Sequence, residues 1–135
     1  MTVRVKRVYA PPSKTDGRRY LIDRLWPRGV RKEDLLLSEW LKDLAPSTEL
    51  RSWFGHDSSK YLVFRRRYRL ELERHPDLLD RLAREARSKD VTLLFAAHDV
   101  EHCNATVLRE LLNERLRATN RRPPDRRNRI PASTP

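Results

Sequence analysis

Two short stretches hold side chains that could act together on a ligand. "RLWPRGV", residues 24–30, sets Arg24, Trp26 and Arg28 around Pro27 and Gly29 at the end of an apolar run. A guanidinium donates to carboxylate or phosphate in bidentate fashion and keeps its charge at any working pH. Pro27 fixes one backbone angle and Gly29 frees another, so a tight turn can aim both arginines and the indole at one place. "HDVEHCNA", residues 98–105, follows a second apolar run. Asp99 reads as the N-cap of a last helix, and Asp99 and Glu101 suit the positive end of its dipole. His102, as the third residue of that helix, would stay neutral there and be free to donate or accept a proton. Asn104 adds an uncharged donor.

A third stretch, "WFGHD" at 53–57, supplies His56 with Asp57 beside it. A carboxylate behind an imidazole is the arrangement of an oriented general base. Each set has a structural alternative. Arg24 can pair with an internal carboxylate and Trp26 can be core, Asp99 can simply cap a helix, and Gly55 with Asp57 can be turn chemistry. His98, Asp99, Glu101 and His102 lie close in sequence. His98 precedes the cap, however, so no helical i, i+4 ligand pair forms and no metal is expected. Cys103 points about 100° away from His102 around a helix. A buried structural thiol is therefore expected, not a nucleophilic dyad.

The elements that must position these residues follow from periodicity. "TVRVKRVY" and "YLIDRLW" read as strands, the second closed by Pro27, Arg28 and Gly29. "KEDLLLSEWLKDL" fits either a helix or a turn leading into a short strand. Ser47 caps a short helix that Gly55 stops, and Ser58 or Ser59 starts the next. Tyr61, Phe64, Tyr68 and Leu72 form one buried stripe, which His75-Pro76 breaks. Leu78, Leu79, Leu82, Ala83 and Ala86 mark a further helix. "VTLLFAA" is a near-continuous apolar run, as befits a central strand covered on both faces. Leu108, Leu111 and Leu112 face inward from the last helix. Strands alternating with helices predict a single compact α/β layer fold, with a small, mainly parallel sheet flanked by helices. In such sheets ligands bind beyond the carboxyl ends of the strands, where both "RLWPRGV" and "AAHDVEHCNA" fall.

The chain of 135 residues suits one domain, with residues 1–116 folded and the Arg/Pro-rich residues 117–135 expected to be disordered. One cysteine allows no internal disulfide. No run approaches the ~18 apolar residues that span a bilayer, and the N-terminus lacks a signal-type apolar stretch. A cytoplasmic protein without membrane contact or cofactor is expected. The net charge is +11, of which +5 lies in the tail. That excess permits contact with polyanions without requiring it.

"DRLWPRGV", "LAPSTELRSWFGHD", "FRRRYRLEL" and "LLFAAHDVEHCNATVL" together resemble the uncharacterised YeaO-like family, domain of unknown function 488. The resemblance runs from about Val3 to Leu112. It implies a compact α/β domain of bacterial type and supplies no activity. It carries family polar positions onto Arg24, Trp26, Arg28, Gly29, His56, Asp57, Asp99, Glu101, His102 and Asn104. The family pattern has lysine at position 98 and a polar residue at 103. His98 and Cys103 depart from it, which counts against a shared metal cluster or thiol nucleophile.

The expectation is a pocket for a small anionic, phosphate- or carboxylate-bearing ligand. Arg24 and Arg28 would clamp the anion, Trp26 would wall it, and Asn104 and Asp99 would line it. Acid/base catalysis by His102, or by His56 with Asp57, remains open, and so does enzyme status. The alternative is a nucleic-acid-associated or protein-interaction module using the basic surface and tail. No helix-turn-helix, zinc-finger or RNA-binding signature supports it.

Overall fold

The computed structural model describes residues 3–121. Its centre is β4 (Val91–Phe95), all five residues of which are buried. An apolar run without alternation can only sit where both faces are covered. Here β4 lies inside a four-stranded, all-parallel sheet of order β1-β4-β2-β3. β1 (Val3–Arg7) pairs Val3 with Val91, and β2 (Arg18–Leu21) pairs Arg18 with the same residue from the other side. β3 (Glu39–Trp40) closes the sheet against β2. The parallel sheet and its helices bear out the α/β expectation.

One sheet face presents Val3, Tyr20, Val91, Leu93 and Phe95 to the main core. Covering it are α3 (Tyr61–Leu72), α4 (Pro76–Ser88) and α5 (Asn104–Arg121), whose Phe64, Tyr68, Leu79, Leu82, Leu108 and Leu112 are almost fully buried. The local signals for these helices are those the sequence carries. Pro76 opens α4 in the first turn, where its missing N–H is no loss. The Ser47 hydroxyl accepts from the Leu50 N–H to cap α2 (Thr48–Phe54), and Gly55 ends it at φ 54°. Glu71 of α3 in turn accepts from the Ser47 N–H and hydroxyl, tying the two helices together.

The other face is closed differently. Val8, Leu21 and Leu94 lie under Leu35, Trp26 and Trp40. Trp40 is in β3, and the other two belong to the connection after β2, which contains only the one-turn α1 (Lys32–Leu35) before β3. "KEDLLLSEWLKDL" thus resolves into a turn of helix followed by a short strand. β2 itself ends at Leu21, so "DRLWPRGV" is loop, not strand. α5 continues to Arg121, past the position where apolar periodicity stops, and the rest of the expected tail lies outside the described residues. Among the described residues no helix is long and apolar enough to cross a membrane.

Polar groups fix the entrance to β2. Asp16 is buried and accepts from the Ser13 N–H, from Lys6 and from Arg19. Burial pushes its carboxyl up, but those three partners outweigh it and hold it below its ordinary 3.8. Arg19 also donates to the Leu35 carbonyl from two nitrogens. Thr92 of β4 donates to the Asp16 carbonyl at 2.7 Å, and the Arg18 N–H donates to Asp90 O at 2.9 Å. Between them Gly17 passes so close to β4 that a Cβ would stand 2.1 Å from Asp90 O, with φ at +64°. Both the contact and the dihedral exclude a side chain. Gly17→Ala is therefore expected to lose about 3 kcal/mol or more in chemical denaturation. A loss within about 0.5 kcal/mol would mean that β2 can shift away from Asp90 at little cost.

Candidate functional site

Where β2 and β4 end, one carboxylate gathers the chain. Asp23, two residues past β2, accepts from the Ala96 N–H beyond β4 at 2.9 Å. Its second oxygen accepts from the Asn104 side-chain amide at 3.0 Å, and the same amide donates to Ile22 O at 3.1 Å. The Trp40 indole N–H donates to the Asp23 carbonyl at 2.7 Å. Burial pushes the Asp23 carboxyl up from its ordinary range, against the opposing pull of Asn104, the Ala96 N–H, His56 and Arg51. Arg7, the last residue of β1, donates to the carbonyls of Ala96 and Ala97 and so fixes the chain leaving β4.

Above this junction opens a cavity of about 500 Å³. Its apolar wall includes Leu25, Trp26, Pro27, Phe54 and Phe64. Arg24, Arg28, Arg51, His56 and His98 bring basic groups to it, while Asp23 and Asp99 are its acids. The loop after β2, the end of α2 and the loop after β4 thus line one space, and Arg24, Trp26, Arg28, His56, Asp99 and Asn104 all border it.

Their roles there are unequal. The Arg24 guanidinium donates to the carbonyls of Pro46 and Ala45, at 3.1 and 3.4 Å, and so anchors the chain entering α2. Trp26 donates to Val30 O at 2.7 Å and meets Trp40 edge-on at 5.3 Å, so it is both core and wall. Asn104 is held by Asp23 and Ile22. Arg28 is different. It is exposed, and its guanidinium has no hydrogen-bond or ion-pair partner among the described residues. Only its carbonyl is used, accepting from the Tyr9 hydroxyl at 3.1 Å. Gly29, at φ 77°, makes the turn that presents it.

The acid/base candidates do not assemble as pairs on the cavity wall. α5 starts at Asn104, so Asp99 is not its N-cap and His102 is not its third residue. The Asp99 carboxylate instead accepts from the Glu101 and His102 N–H groups within a turn. A capping carboxylate and a turn carboxylate accept from the same donors, so the sequence cannot tell them apart. His102 Nδ1 lies 2.9 Å from the other Asp99 oxygen, which places its proton on Nδ1. That bond, ahead of the cost of burial, holds Asp99 below its ordinary range. The His102 ring packs edge-on against Tyr61 at 4.9 Å and does not line the cavity.

Asp57 does not orient His56. It accepts from the Ser59 N–H and hydroxyl, capping the single 3-10 turn before α3. His56 borders the cavity alone, at a left-handed φ of 59°. Cys103 is 2% exposed, and burial pushes its thiol up, as expected of a structural cysteine. Among the described residues no three His, Cys, Asp or Glu side chains come together as a metal ion would require. Sequence reasoning missed Asp23 and Arg51. An aspartate inside the apolar run "YLIDRLW" was itself a signal, because a buried charge must find partners. Arg51 carried none.

Comparison with known proteins gives relatives along nearly the whole chain. Residues 2–133 match the family described as "Inactive DUF488-N3 subclade". The uncharacterized protein YeaO of Escherichia coli K12 is 45% identical over 112 residues, covering 83% of this chain and 97% of its own. The uncharacterized proteins Rv3073c of Mycobacterium tuberculosis H37Rv and Mb3100c of Mycobacterium bovis are each 42% identical over 113 residues, covering 84% of this chain and 95% of theirs. No solved structure matches the chain.

Two outcomes follow from the site's geometry. Asp23→Ala leaves the Ala96 N–H without an acceptor and the Asn104 amide with Ile22 O alone, and is expected to cost about 2–3 kcal/mol in denaturant unfolding. Asp57→Ala removes an exposed cap and should cost about 1 kcal/mol. Equal losses would refute the pinning role of Asp23. Cys103 should label with a thiol reagent slowly in native buffer and rapidly once unfolded. Fast native labelling would show a thiol that is neither buried nor held protonated.

Proposed function

The chain belongs to the YeaO-like DUF488 family, and from that premise we propose that its strand-end cavity binds a small ligand bearing a phosphate or carboxylate. One observation carries the reading: Arg28 borders the cavity, on a turn built to present it, with its guanidinium left without a partner among the described residues. A cation that served folding would be paired, as Arg7, Arg19 and Arg24 are on carbonyl oxygens. Arg51 borders the same cavity as a second cation, in place of the Arg24 expected from the sequence, whose guanidinium is held by main-chain carbonyls. Trp26 and Phe54 give the ligand an apolar wall. Enclosure, apolar walls and a few charged groups are the usual anatomy of a small-molecule site.

Binding without turnover is the form of this function that the observations favour. The matched subclade is described as inactive. His102 is tied to Asp99 outside the cavity, Asp57 is turned from His56, and the Cys103 thiol is held protonated by burial. Among the described residues that line the cavity, no nucleophile is hydrogen-bonded to a base. The nucleic-acid alternative rests on the charge excess alone, much of it in the tail.

A thermal-shift screen of phosphate- and carboxylate-bearing metabolites tests this. A ligand at a hundred times its Kd stabilises the native state by about 2.7 kcal/mol. Arg28→Gln should keep unliganded stability within about 0.5 kcal/mol of wild type and abolish that gain. His102→Gln should leave the ligand gain intact. If Arg28→Gln unfolds the protein, or if anions stabilise it as well as wild type, the arginine does not bind a ligand.

A further inference from the structure

Asp23 sets a condition that an anion alone cannot meet. A carboxylate offers about four acceptor positions. Asn104 and the Ala96 N–H occupy one on each oxygen, which leaves one open on each. Asp23 borders the same cavity as Arg28. A simple phosphate or carboxylate would be drawn to Arg28 and repelled by Asp23. A ligand that satisfies both must carry an acid at one end and two adjacent hydrogen-bond donors at the other.

The same cavity is lined by Leu25, Trp26, Pro27 and Phe54, so the body joining the two ends must be largely flat or apolar. About 500 Å³ lies in the range that encloses a whole small organic molecule, far more than inorganic phosphate fills. The start of α5 is no rival seat for the acid. Asp99 and Glu101 stand just before it, and their charges oppose an anion there. The acid is thereby directed toward Arg28 and the donors toward Asp23.

Resting on the anion reading above, we propose that the ligand is a nucleoside monophosphate, with its phosphate on Arg28 and a pair of neighbouring donors on Asp23. Two parts of such a molecule present that pair: the ribose 2′- and 3′-hydroxyls, and the N1–H and N2–H edge of guanine. A carboxylate at a strand end accepting from ribose, with the phosphate held elsewhere, is a general solution for parallel sheets. The base would lie against the Trp26 and Phe54 wall.

The test is calorimetric titration of the full chain with GMP, AMP, IMP, dGMP, ribose 5-phosphate and inorganic phosphate. A nucleoside monophosphate should bind at least about tenfold tighter than inorganic phosphate, since donors on Asp23 add to the phosphate contact. If ribose supplies the donors, AMP and GMP bind alike and dGMP is weakened about tenfold or more. If guanine supplies them, GMP and dGMP bind while AMP and IMP are weakened by that factor. Asp23→Asn should erase the preference over phosphate while leaving the phosphate response. Should that variant not fold, the comparison among ligands decides alone. If phosphate binds through Arg28 and nucleotides bind no tighter, the nucleotide inference fails and the anion site stands. If neither these ligands nor any carboxylate metabolite binds, both fail.

Discussion

One half-buried carboxylate, Asp23, holds together the end of the molecule where everything else of interest happens. Removing a charge from water costs several kcal/mol even after the protein relaxes. Such a group persists only where donors converge on it. Those donors come from three places: the chain leaving β4, the first residue of α5, and the Trp40 indole of β3, which takes the carbonyl of the same residue. The sheet's strand ends and the start of α5 are therefore fixed relative to one another by satisfaction of one group. The cavity above them inherits its floor from that constraint.

The arginines show why composition is a poor guide to partners. Arg7, Arg19 and Arg24 donate to main-chain carbonyls, doing work that a strand end or a buried turn cannot do for itself. Arg65 and Arg69 of α3 pair with Glu110 and Glu114 of α5, and Arg115 reaches back to Glu73 and Asp80. These exposed or half-exposed pairs add little stability each and, being matched by carboxylates, contribute nothing to the net excess. Of the net +11, +5 lies in residues 117–135, and Arg7 and Arg24 are among the remaining cations that the fold itself uses.

Much of the architecture was legible in the sequence where one force dominates. The near-continuous apolar run at 91–97 marked the central strand because burial on both faces admits little else. The stripe Tyr61, Phe64, Tyr68 and Leu72 marked α3 because a helix buries one side. Legibility failed where two arrangements use the same groups. A carboxylate that caps a helix and one that closes a turn look alike in "HDVEH", so the start of α5 was misplaced and His102 with it. "YLIDRLW" read as strand throughout because apolar residues resume at Leu25 and Trp26 after the backbone has left the ladder at Leu21. At the site, the turn bearing Arg28 was visible from Pro27 and Gly29. Which arginine would be consumed by the fold was not, because Arg24 is anchored by carbonyls that no pattern announces.

The strand order has a consequence for how the chain comes to be folded. β1 and β2 do not touch; each finds its partner in β4, with Val3 and Arg18 both opposite Val91. A chain emerging from the ribosome carries its first two strands for most of its synthesis with no edge to pair against. Only β3 is available to β2, and by two residues. The sheet must form in one late step once β4 is released, closing long loops at once, which is the slow regime of folding. α3 and α4 precede that moment, but α5, against which both of them pack, follows β4. The interval in which these two strands wait for their shared central partner is the stretch of this protein's life in which association with other chains competes with folding.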